Sequence, residues 1–173
     1  MNKKIAVAGT IAYDFIMDFP DKFGNHIFPD KIHMLSVSFV TDRLEKQFGG
    51  TAGNIAYTIK LLGQDPEIFS VAGKDFSNYE NWLQTHNIST KYISIKENDF
   101  TASAHIITDK DDNQITAFHG GPMFGDNTSP DKLLTEEDIS IGIAAPTAPT
   151  PMMNAVRGYK KHNIPFVFDC IRN

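Results

Sequence analysis

Apolar and polar positions along this chain repeat with two periods, one of two residues and one of a helical turn. Ile5-Ala6-Val7-Ala8-Gly9 is a short apolar run with lysines before it and a Gly-Thr step after it, which predicts a buried opening strand. Residues 12–19 are apolar apart from Asp14 and Asp18 and stop at Pro20, and residues 21–30, with Gly24, Asn25 and Pro29, predict a loop. In 34–40, Leu35, Val37 and Phe39 alternate with Ser36 and Ser38, as in a strand with one wet face. From Gly53 the period changes. Ile55, Ile59 and Leu62, with Ala56 beside them, fall at helical spacing, and Gly63 sits where a helix would stop.

The same reading predicts strands at 68–72, 92–95, 102–108, 114–118, 139–145 and 165–169, and helices at 79–86 and 152–162. Trp82 and the pair Met152-Met153 read as core. Asp109-Lys110-Asp111-Asp112-Asn113 joins two of the strands and resembles a calcium loop only superficially, lacking its central Gly and terminal Glu; it predicts a solvated hairpin tip. The order β-α-β-α with a block of consecutive strands inserted predicts an α/β fold, a parallel sheet plus a smaller β element.

Composition narrows the function classes. A net charge of -5 argues against a nucleic-acid partner, since that affinity rests on neutralising phosphates. A single cysteine, Cys170, excludes an internal disulfide framework and suits a reducing compartment. The apolar stretch after Met1-Asn2-Lys3-Lys4 is too short for a signal core or a membrane span, so the expectation is a cytoplasmic protein with no membrane partner. The six histidines show no metal-ligand spacing. Residues 166–169 form a strand apolar enough to be covered on both faces, so a chain stopping four residues later is expected to be truncated.

Two constellations carry candidate chemistry. Phe48-Gly49-Gly50-Thr51-Ala52-Gly53-Asn54 runs directly into a helix; its small residues let backbone approach a ligand, and Asn54 offers an amide to hydroxyls. The same residues also read as a glycine-rich turn with Thr51 or Asn54 capping the helix. No Lys-Ser or Lys-Thr follows the glycines, so this is not a Walker loop, and Gly9-Thr10-Ile11-Ala12 is not a dinucleotide fingerprint. Asp14, just beyond the first strand in apolar company, could accept hydrogen bonds from vicinal hydroxyls, or instead cap a turn or pair with a neighbouring Lys.

Together Gly49-Gly50-Thr51-Ala52-Gly53-Asn54-Ile55-Ala56, Gly63 and Val71-Ala72-Gly73-Lys74-Asp75 resemble the first signature of the ribokinase-like (PfkB) carbohydrate kinase family. Asp14 after Val7-Ala8-Gly9-Thr10 matches the family's acceptor-binding aspartate. The stretch 108–116 resembles the lid hairpin of the nucleoside and adenosine kinase branch, and Phe168-Asp169 the family's Phe-Asp-Pro strand, with Cys170 where proline is usual.

The resemblance implies a Rossmann-like, mostly parallel sheet with flanking helices and a small β-sheet lid drawn from about 12–48 and 100–120. It implies that Asp14 and Asn54 hold sugar hydroxyls, that Gly49 and Gly50 hinge the lid, and that Phe118, Ala104 and Ile106 pack on a base. It also implies a kinase using ATP and Mg2+ on a nucleoside such as adenosine or on a sugar, with a homodimer through the lid as a further expectation. The family's anion hole, catalytic-base aspartate and Asn-x-x-Glu motif are not in this chain, whose 173 residues would be the N-terminal, acceptor-binding portion, inactive alone. The alternative is a non-catalytic binding or dimerisation module.

Overall fold

A computed structural model describes residues 3–126 and 128–169. In chain order its elements are β1 (Lys4–Ala8), β2 (Ala12–Asp18), β3 (Arg43–Gly49), α1 (Thr51–Leu61), β4 (Pro66–Gly73), α2 (Ser77–Thr85), β5 (Ile93–Lys96), β6 (Ala102–Thr108), β7 (Gln114–His119), α3 (Asp131–Glu136), β8 (Ile139–Ala144), α4 (Pro149–Lys161) and β9 (Phe166–Phe168).

The central sheet is parallel, in the order β5-β4-β1-β8-β9. Ala6, Val7 and Ala8 of β1 are buried because helices cover both faces of its sheet. On one face Ala52, Ala56 and Ile59 of α1 and Tyr79 and Leu83 of α2 pack on Val7 and Ile68. On the other, Ala155 and Tyr159 of α4 and Leu133 and Leu134 of α3 pack on Ala6, Ala8 and Ala144. Each fully buried leucine or isoleucine there contributes roughly 1.5–3 kcal/mol. Lys4, at the start of β1, donates to Glu67 (2.5 Å) of β4 and to Glu137 (2.7 Å) beyond α3. That network lies at the opposite end of β1 from the glycine-rich turn.

The second sheet is small and mixed, in the order β3-β2-β6-β7, with β2 and β6 parallel and both outer pairs antiparallel. The predicted α/β architecture with a smaller β element is therefore present.

Four local expectations need correction. Residues 34–40 are not a strand: a 3-10 helix covers Pro29–Met34 and no regular element follows before β3. Both edges of β2 are taken along its whole length, by Arg43–Gly49 on one side and Ala102–Thr108 on the other, so the alternating stretch upstream does not pair with it. Leu62 is 74% exposed, because the buried stripe of α1 runs through Ala52, Ala56 and Ile59. Gly63, at φ 77, does end that helix. Met153 is exposed on α4, whereas Trp82 packs against the core as expected.

The 109–113 tip is not simply solvated either. Asp109 is buried and accepts hydrogen bonds from the backbone N–H groups of Phe23 (2.9 Å), Asp111 (2.9 Å) and Asn113 (2.9 Å). It ties the long β2–β3 connection to the β6–β7 hairpin. Cys170 lies outside the described residues. Among those residues no helix is long and apolar enough to cross a membrane.

Candidate active site

Asp14 is not at the tip of β1. After Gly9 the chain turns through Thr10-Ile11 and begins β2, of which Asp14 is the third residue, so the carboxylate belongs to the small sheet. Asp14 pairs with Gln47 on β3 and Ala104 on β6, and Ala104 pairs with Phe118 on β7. Directly paired residues share a face of a sheet. Asp14 and half-exposed Phe118 therefore look out from the same face, two strand spacings or about 10 Å apart, with only the methyl group of Ala104 between them. Ile106, two residues along β6, is on that face too.

The reverse face carries Tyr13, Phe48, Phe15 and Lys46. Its aromatic root packs on Tyr79, with Tyr13 at 5.9 Å and Phe48 at 4.7 Å between ring centroids. Farther out, His105 stacks on Phe15 (4.8 Å, 4° between planes), so this histidine belongs to the face turned away from Asp14.

The glycines join the two sheets, each for its own reason. Gly49 ends β3, and a side-chain carbon there would collide with the Asp14 carboxylate. Gly50 has φ 85, and a Cβ on it would lie 2.5 Å from the Thr10 carbonyl oxygen and 2.6 Å from the Ala12 nitrogen. L-residues with side chains rarely adopt that backbone.

Helix α1 starts immediately afterwards with no side-chain cap, which removes the capping alternative for both Thr51 and Asn54. The Thr51 hydroxyl instead accepts from Thr10 N–H (3.0 Å) and donates to the Pro146 carbonyl (2.7 Å). It joins the turn after β1, the helix start and the turn after β8. Asn54 is exposed in the first turn; its N–H donates to the Gly50 carbonyl (3.1 Å), and its amide has no hydrogen-bond partner among the described residues. Asp14 thus rests against Gly49, Asn54 is tied to Gly50 through its backbone N–H, and Phe118 lies across the sheet face from Asp14.

Burial pushes the Asp14 carboxyl above its ordinary value. The Tyr79 phenol is pushed up as well, first by burial and then by the charge of Asp14, so it stays a hydroxyl donor. That hydroxyl donates to the Gly49 carbonyl (2.9 Å). Sequence reasoning missed Tyr79, which looks locally like one more inward residue of an amphipathic helix. The other paired glycines, Gly120-Gly121, are explained by packing. A Cβ at Gly120 would strike the Phe124 ring, and one at Gly121 would come within 2.5 Å of the Phe100 carbonyl oxygen.

A doubly covered parallel sheet, joined through two glycines to a small mixed sheet with a carboxylate on one face, is the ribokinase-like architecture. The chain matches the pfkB family carbohydrate kinase over residues 2–169 and belongs to that family. It is 36% identical over 121 residues to the nucleoside kinase of Methanocaldococcus jannaschii, a stretch covering 69% of this chain and 37% of that protein. The nucleoside kinase of Burkholderia thailandensis in complex with inosine superposes with a TM-score of 0.80 at 33% identity, over 95% of this chain and 52% of that one. The same enzyme in complex with ADP-inosine gives 0.74 at 35% identity. Arabidopsis thaliana ribokinase complexed with ribose and ATP shares the fold, with a TM-score of 0.76 at 17% identity. This chain spans about half the length of these solved relatives, and its aligned stretch covers little over a third of the M. jannaschii enzyme.

Proposed function

We propose that the protein is an ATP-dependent kinase for the primary hydroxyl of a nucleoside, and that this chain supplies its acceptor-binding part. The row Asp14–Ala104–Phe118 on one face of the small sheet carries the reading. It sets a carboxylate for two sugar hydroxyls at one end and an aromatic face for a base at the other, with a floor of one methyl group between. A free sugar would leave Phe118 without a partner. The nucleoside kinases among the relatives, one of them in complex with inosine, support the same choice.

In this reading Asp14 and Asn54 hold the ribose, Gly49 and Gly50 are the hinge, and the lid drawn from 12–48 and 100–120 closes over the acceptor. Closure excludes water and aligns the hydroxyl for in-line attack. We assign Mg-ATP binding and the general base to the part of the family's length that this chain does not span. Alone, the chain would bind acceptor without turning over. A cytoplasmic location, supported by the single cysteine, and a homodimer through the lid complete the proposal.

The test is to assay the whole protein with Mg-ATP and inosine, adenosine, ribose or fructose 6-phosphate. Transfer to a nucleoside in preference to ribose is the expected result, and no transfer to any of the four at millimolar concentration would overturn it. Binding without transfer would favour a non-catalytic module.

A further inference from the structure

We propose that Tyr79 is a positioning residue for the acceptor site, its hydroxyl holding the Gly49–Gly50 peptide in the orientation that nucleoside binding needs. The inference rests on the acceptor-site reading above. Tyr79 belongs to α2 of the central layer, yet it touches each part of the junction with the small sheet. Its ring lies 4.7 Å from Phe48 and 5.9 Å from Tyr13, which stand at the roots of β3 and β2. Its hydroxyl donates to the Gly49 carbonyl at 2.9 Å. The same hydroxyl occupies the space a Cβ on Gly53 would need, in the first turn of α1. The glycine spacing Gly49-Gly50-x-x-Gly53 is therefore shaped in part from outside, by one phenol.

The consequence for the ligand follows from peptide geometry. A planar trans peptide points its C=O and N–H in opposite directions, and no cis peptide occurs among the described residues. Holding the Gly49 carbonyl on Tyr79 sends the Gly50 N–H the other way. It also fixes Gly49, against which the Asp14 carboxylate rests. Phenylalanine would fill the same ring space, so the hydroxyl is what the proposal assigns to orientation. Tyr13 supplies an internal comparison, because its hydroxyl also donates to a backbone carbonyl, that of Asp75 at 2.8 Å, but away from the glycine hinge.

The experiment compares Tyr79→Phe and Tyr13→Phe in the whole protein, measuring inosine, adenosine and Mg-ATP affinity by calorimetry alongside melting temperature. Both variants should melt somewhat lower. Only Tyr79→Phe should weaken nucleoside binding, by about tenfold, the range of one hydrogen bond, with Mg-ATP affinity unchanged. Wild-type nucleoside affinity in Tyr79→Phe, or equal losses in both variants, would overturn the proposal. A second comparison reads the hydroxyl without any ligand. Gly53→Ala should lower the melting temperature sharply in the wild-type background and distinctly less in the Y79F background, where the colliding oxygen is gone. Equal costs in the two backgrounds would also refute it. A wild-type protein that binds no nucleoside or sugar would instead refute the functional reading, and the Gly53 comparison would still decide whether the phenol shapes the hinge.

Discussion

Asp14 is subject to two opposed demands. Partial burial holds its proton more tightly in the folded chain than in the unfolded one, so stability falls as pH rises from the ordinary carboxylate value towards the raised one. At neutral pH the ionised group is thus a destabilising element, a cost that the proposed role in acceptor binding would explain. Asp14→Asn should raise the melting temperature at neutral pH, or leave it unchanged, while weakening nucleoside affinity by about tenfold or more. Calorimetry and thermal melting separate the two effects, and a clear drop in melting temperature would contradict the burial argument. Sequence alone marks Asp14 as a carboxylate in apolar company. Its place against Gly49 depends on β3, more than thirty residues away in sequence, taking a particular register.

Among the elements, the small sheet is held by unlike fastenings at its two ends. At the root, aromatic rings pack on α2; at the tip, Asp109 gathers the backbone donors of Phe23, Asp111 and Asn113. Burial would push the Asp109 carboxyl up, but hydrogen bonds from Phe23 and Asn113, with further help from Asp111, hold it down at about 2. The sign follows directly: this contribution is complete above the unfolded value of 3.8 and fades as pH falls from there towards about 2. Asp109→Ala should speed amide exchange at Phe23, Asp111 and Asn113 at neutral pH, leaving the amides of β1 and β4 protected. Exchange unchanged at the tip would show that packing of Phe19, Phe23 and Phe39 holds the connection without it. The hairpin strands were legible from the polar loop 109–113 that joins them. The staple was not, because its partner, Phe23, lies far back in the chain.

For the molecule as a whole, the distribution of exposed apolar side chains bears on assembly. Met34 (74% exposed), Val40 (79%) and Leu44 (66%) lie on β3 and the connection that precedes it, and β3 and β7 are open edges of the small sheet. Open edges beside apolar surface tend to be covered by another chain. The lid dimer proposed above predicts a concentration-dependent dimer of the whole protein by sedimentation, shifted to monomer by combining Met34→Glu with Leu44→Glu. An unchanged mass in that variant would remove the lid as the interface.

By itself the sequence determined the kinds of element, most of their positions, the glycine-rich turn entering a helix and the family motif built on it. These are local properties: periodicity and backbone permissiveness are set within a few neighbouring residues. Only the tertiary structure decided that 43–49, rather than 34–40, pairs with β2, because pairing depends on which segment the fold brings alongside that edge. It also decided that Asp14 and Phe118 share a face and that Tyr79 reaches Gly49. Those facts depend on strand register and helix docking between distant segments, which no local pattern encodes.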